Sequence, residues 1–315
     1  MSLKKTGSRK LLPALALSAI LAGCASIPRN ESPDVYGMLY DGESTAAYAT
    51  AFPVGSPAEA YGNGDMAARA GDFDRALFEY IRGLRLESEP VAEPLYRIGT
   101  IHHQRENHRL AELAYRWALE VDPDHGAGAT ALGIMQLEKR QYVEAAAQLE
   151  SVTRSGNANW RTYNALGILS DLHGDFEEAA RHFSDALNAS PGNPVVLNNL
   201  GYSRYLAGDL EGARAALRQA LRGNPRYELA WRNLGLVHAR EGNYDAALDA
   251  LARSGTEAEA YNDIGYVSMV GGRYSEATFF FQEAMRRSPA FYATASENAR
   301  HLERRIRRKA ASRQD

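Results

Sequence analysis

The chain has 315 residues, 45% of them hydrophobic and 24% charged, with a formal net charge of −3. Its 36 basic residues are offset by 39 acidic ones, so no broad basic field exists to make nucleic acid the main partner. A single cysteine excludes any disulfide within the chain.

Residues 1–23 carry Lys4, Lys5, Arg9 and Lys10, no acid, and then an apolar run from Leu11 to Leu21. That run is too short to span a bilayer and reads as an export signal. It ends on Leu21-Ala22-Gly23-Cys24, and this cysteine is the only one in the chain. The motif resembles the lipobox of bacterial lipoproteins, which implies cleavage before Cys24 and acylation of its thiol. Ala25-Ser26 follows without an adjacent aspartate. By the same resemblance, the expected location is the outer membrane, lipid-anchored and facing the periplasm. Without the first 23 residues the balance becomes 32 basic against 39 acidic residues, a net of −7.

Residues 24–56, rich in Ser, Pro, Gly and acids, have no helical period and are expected to form a flexible tether. Within them Val35, Tyr36, Met38, Leu39 and Tyr40 form an apolar cluster able to dock on the body or on a partner.

From about Pro57 to Phe291 the chain repeats itself. Ile98-Gly99, Leu132-Gly133, Leu166-Gly167, Leu200-Gly201 and Leu234-Gly235 recur every 34 residues, with Ala111, Ala145, Ala179, Ala213 and Ala247 twelve places after each glycine. Glycine and alanine at these places let two helices of a unit approach closely. Gly174-Asp175 ends one helix and opens the next, and Pro191 blocks extension of the second. A unit of this size cannot bury its own apolar face, so successive units must stack. The pattern resembles the tetratricopeptide repeat and implies an all-α solenoid of about seven helix-turn-helix repeats over residues 57–291. They begin near Pro57, Ala92, Gly126, Trp160, Pro194, Glu228 and Ala258.

Two repeats depart from the pattern. The first has Asn63 where leucine is expected and reads as an end cap or a weakly formed unit; the sixth is four residues short and should bend the stack. Residues 292–315 predict a capping helix with Tyr292, Ala295, Ala299, Leu302 and Ile306 on one stripe. Its basic end, Arg304 to Lys309, suits either a solvated helix C-terminus or an anionic lipid surface.

No catalytic signature appears. The eight histidines follow no metal-ligand spacing, the glycines sit at turns and crossings, and no nucleophile elbow or phosphate loop exists. Neither enzyme activity, a cofactor nor a metal is expected, and the partners are expected to be proteins. The candidate binding residues lie on the first helix of each repeat: Asn164, Asn198, Asn199, Tyr202, Tyr205, Arg232, Asn233, Asn262 and Tyr266. Asparagine both donates and accepts and could bond a bound peptide backbone, or could only satisfy local groups and solvent. The tyrosines could anchor a partner or pack between helices.

Lipobox, tether, repeats and cap together resemble the TadD lipoproteins of the tight-adherence (Flp) pilus systems, most closely over Ala260 to Val267. The resemblance implies a pilotin-like factor that binds the pilus secretin and serves its assembly. NlpI-like adaptors for peptidoglycan hydrolases or proteases, and type IV pilus pilotins, share the same organisation.

Overall fold

The computed structural model describes residues 34–42, 54–288, 290 and 292–311; Cys24 and the signal lie outside the described residues. Among them the only regular structure is helical. Seven helix pairs follow one another: α1 (Pro57–Arg69) with α2 (Phe73–Leu86), α3 (Ala92–Gln104) with α4 (His108–Val121), and α5 (Gly126–Glu138) with α6 (Tyr142–Arg154). Then come α7 (Trp160–His173) with α8 (Phe176–Ala189), α9 (Pro194–Ala207) with α10 (Leu210–Gly223), α11 (Glu228–Glu241) with α12 (Tyr244–Leu251), and α13 (Glu257–Val270) with α14 (Tyr274–Arg287). A last helix, α15 (Ala293–Ala311), closes the array.

One contact explains the glycine of every repeat. A methyl group added at Gly64, Gly99, Gly133, Gly167, Gly201, Gly235 or Gly265 would strike the side chain of Tyr80, Tyr115, Leu149, Phe183, Leu217, Leu251 or Phe281, in that order. In each case the struck residue lies sixteen places onward in sequence, on the second helix of the same pair. The large side chain therefore lies flat on the bare backbone of the first helix, and the glycine is what lets it do so. Ala76, Ala111, Ala145, Ala179, Ala213, Ala247 and Ala277 are all fully buried at the same crossings.

The turn inside each repeat puts one residue in the left-handed region. Gly71, Gly174, Gly208, Gly242 and Gly272 take it in five repeats, while Glu106 (φ 59°) and Arg140 (φ 60°) take it in the second and third. Side-chain caps then start many second helices, as Asp72, Asn107, Asp209 and Asn243 do.

Of the two readings of the first repeat, end cap or weakly formed unit, the second does not hold: it is a complete helix pair at the start of the array. Ala60, Ala67 and Gly64 bury the face of α1 against α2, so the missing leucine is replaced by close contact of small residues with Tyr80. The expected tether also needs correction over residues 34–42. Leu39 is fully buried in the core of the first two repeats, Tyr36 stacks on Trp117 at 4.9 Å, and His102 Nε2 bonds the Leu39 carbonyl at 2.9 Å. Asp34 pairs with Arg85, and Asp41 with Arg105 and Asn107. Apolar burial with charges on both sides makes this segment part of the solenoid's first layer.

In the sixth repeat α12 spans eight residues where its counterparts span thirteen or fourteen. Thr256 then starts α13 with a reciprocal capping box to Glu259, so the shortened end is built and not frayed. At the other end Ala299 and Leu302 of α15 pack with Met269, Ala277 and Phe281, and Ala295 is fully buried, while Ile306 is left exposed.

Candidate functional site

From the second repeat on, successive first helices touch one another, whereas each second helix packs on the first helices before and after it. The first helices thus occupy the inner, shorter arc, and their outward-facing side chains line a common inner face.

The asparagines sit beneath that face. Asn199 Nδ2 donates to Asn164 Oδ1 at 2.9 Å, Asn198 Nδ2 to Asn199 Oδ1 at 3.2 Å, and Asn233 Nδ2 to Asn198 Oδ1 at 2.9 Å. Asn298 of the capping helix donates to Asn262 Oδ1 at 2.9 Å. Asn198, Asn233 and Asn262 are buried. In line with the local one of the two readings left open by the sequence, Asn164, Asn199, Asn198 and Asn233 form a rail across the fourth to sixth repeats, and Asn262 pairs separately with the capping helix. Separate side-chain bonds also join neighbouring repeats, from Arg232 to Asp263 at 3.1 Å and between Thr130 and Thr162 at 2.8 Å.

The aromatic candidates have a different place. Tyr202 and Tyr266 are exposed, and Tyr205 is half-buried, stacked on Tyr202 at 6.0 Å under the Arg240 guanidinium. Around them lies a feature that sequence reasoning missed. Of the exposed large hydrophobic residues, Leu172, Val195, Leu206, Leu229 and Val270 all sit on the first helices of the fourth to seventh repeats. With Tyr202 and Tyr266 they make a run of apolar side chains along the inner face, with Ile168 and Leu236 half-buried among them. The signal was present in the sequence as large aliphatics at places where neither the repeat pattern nor the stacking demands them.

Two clefts flank the run. One of about 300 Å³ opens over the second to fourth repeats, between Tyr96, Thr100, Tyr115, Ile134, Asn159 and Arg161. Burial pushes the Tyr115 hydroxyl up to about 12, so it stays a neutral wall. The other, about 220 Å³, lies where the sixth repeat is shortened, between Arg232, Glu259, Asn262, Asp263 and Tyr292. Burial raises the Asp263 carboxyl above its ordinary range, against the opposing pull of Arg232. Asp171 is raised by burial too, and accepts a 2.6 Å bond from Ser203 Oγ. Among these groups none is arranged as a nucleophile with its base.

The tetratricopeptide-repeat family model matches residues 96–159, 136–194 and 198–257. The chain is a tetratricopeptide-repeat protein. Its fold is that of a protein-interaction scaffold, and the solved chains it resembles include one from the Cut9–Hcn1 hetero-tetramer of the APC/C. That likeness has a TM-score of 0.61 and 18% identity, covering 82% of this chain and 51% of the other, so this chain spans about half its length. PilW, a type IV pilus biogenesis factor, is similar with a TM-score of 0.55 and 15% identity, over 65% of this chain and 97% of PilW. PilF of Pseudomonas aeruginosa gives a TM-score of 0.52 and 21% identity, over 65% of this chain and 95% of PilF. No curated protein sequence matches the chain.

Proposed function

We propose that this tetratricopeptide-repeat protein is a non-catalytic adaptor, lipid-anchored through Cys24 in the outer membrane, that holds a client of the cell envelope on its inner face. The observation that carries the binding mode is the exposed apolar run from Leu172 to Val270. Because the asparagines bond one another, an extended peptide finds few free backbone partners there. An amphipathic helix, in contrast, can bury its apolar stripe along the run. Arg232 and Arg240, both exposed beside the run, favour acidic residues on the client's flanks. The lipobox-like end and the sequence resemblance support a pilotin-like role toward a tight-adherence (Flp) pilus secretin. Type IV pilus biogenesis, the setting of PilW, supplies the neighbouring client class.

The test uses overlapping peptides spanning the secretin, with binding followed by fluorescence anisotropy. Leu206→Asp combined with Tyr266→Asp should keep the wild-type helical content, because both side chains are exposed. Affinity for the captured peptide should fall at least tenfold, about 1.4 kcal/mol. Equal affinity of the two proteins would move the site off the inner face. Membrane fractionation of Cys24→Ser checks the anchor separately: the variant should leave the outer-membrane fraction.

A further inference from the structure

The second and third repeats bring together three metal-binding side chains whose sequence spacing matches no motif. His103 stands near the end of α3, His108 opens α4, and Glu138 ends α5. Their ligand atoms all lie within 4.8 Å of one another, and among the described residues no other group of three or more such side chains does so. We propose that His103, His108 and Glu138 bind a divalent transition-metal ion of the zinc class, bridging the two repeats.

The geometry is held from several directions. The turn between the two histidines is pinned by backbone bonds from Glu106 N to the His103 carbonyl and from Asn107 N to the His102 carbonyl. Asn107 then caps α4 through Leu110 N. These bonds hold the two imidazoles edge to face with centroids 5.9 Å apart, and Tyr115 supports His103 from another side at 6.3 Å. Glu138 Oε2 reaches His103 Nε2 at 2.7 Å from the next repeat.

A tetrahedral zinc ion with bonds of about 2.0–2.1 Å keeps its ligand atoms roughly 3.3 Å apart. The donors therefore need only side-chain adjustment to reach it, and His108 and Glu138 are exposed enough to move. With the His103 proton on Nδ1, Nε2 offers its lone pair to the ion, which takes the place of the hydrogen bond to Glu138. Two imidazoles and one carboxylate favour zinc-like ions over magnesium. Three protein ligands leave a position for water, as in an exchangeable site and unlike a closed structural one. Elsewhere His125–Glu93, His182–Glu178 and His238–Glu241 are pairs of one imidazole and one carboxylate, which lack the third donor.

The experiment titrates the untagged protein with zinc chloride by calorimetry and follows its melting with zinc or magnesium. One saturable equivalent should bind, and zinc but not magnesium should raise the melting midpoint, because only the folded chain assembles the three ligands. His103→Gln and His108→Gln should each weaken zinc binding at least tenfold while keeping the wild-type helical signal; Glu138→Gln should weaken it less. His125→Gln serves as the control and should bind as the wild type does. No saturable binding, or unchanged affinity in both the His103 and His108 variants, overturns the proposal. Should a variant fold poorly, cobalt(II) absorption of the wild-type protein decides: the intense visible bands of a low-coordinate nitrogen–oxygen site support the assignment, and an aquo-ion spectrum refutes it.

Discussion

Asn198 is a residue for which the sequence left two partners open, a client's backbone or local groups, and in the structure its amide meets neighbouring amides. Its amide is buried, accepts from Asn233 and donates to Asn199. Asn198→Ala should therefore reduce stability by about 1–3 kcal/mol, since Asn233 would be left with an unsatisfied buried donor. Urea unfolding of the variant checks this, and an unchanged midpoint would mean that water replaces the lost amide. Sequence identified the recurrence of asparagine along the first helices, but the Asn164–Asn199 and Asn198–Asn233 bonds each join residues one repeat apart, a distance that no single-repeat pattern encodes. The turn residue Arg140 gives the opposite sign. It holds φ 60°, where five other repeats use glycine. Left-handed backbone costs a side-chain-bearing residue roughly 1–2 kcal/mol, partly offset by the entropy glycine loses on folding. Arg140→Gly should thus stabilise the protein by about 0.5–1 kcal/mol in the same unfolding measurement.

At the scale of elements, the segment 34–42 and the helix α3 act as one unit through His102. The imidazole is fully buried, donates to the Leu39 carbonyl, and has Asp41 3.6 Å from Nδ1. Burial lowers its pKa below the ordinary histidine value; the Leu39 bond and Asp41 oppose this, and Arg105 and Arg109 add to it. The folded chain therefore resists a proton that the unfolded chain accepts. The stabilisation is present above the unfolded value of about 6.5 and is lost as pH falls from there toward the lowered folded value. Between pH 7.5 and pH 5.5 the melting midpoint should drop, and by less in His102→Gln, whose amide can still donate to Leu39. Amide exchange in residues 34–42 should rise over the same interval. The apolar cluster Val35 to Tyr40 made docking legible in the sequence as one of two outcomes. The choice between them rests on Asp34 and Asp41 meeting Arg85 and Arg105, contacts separated by more than fifty residues.

Across the whole molecule, legibility followed the source of each constraint. Constraints internal to one repeat, such as glycine under its covering side chain, alanine at the crossing and the left-handed turn, repeat every 34 residues and could be read directly. Features made between repeats, such as the amide rail and the His103–Glu138 contact, could not. The apolar run falls between these cases, because its residues stand at fixed places in the repeat yet only stacking shows that they share one face. The same division governs how damage should spread. Gly201 lies under Leu217, with Cγ 2.6 Å from where a β-carbon would stand and the Ala213 carbonyl 3.2 Å away. Gly201→Leu must push α10 off α9, at a cost of about 1–3 kcal/mol or more. In a solenoid, stability is a sum of unit and nearest-neighbour terms, so the loss should concentrate in the fifth repeat and its two neighbours. Hydrogen exchange read by mass spectrometry should show faster exchange from α7 to α12, while the first two repeats, locked to residues 34–42 by Leu39, keep their protection. Equal acceleration along every helix would instead mean that all seven repeats open as one cooperative unit, and that the docked segment couples the array from end to end.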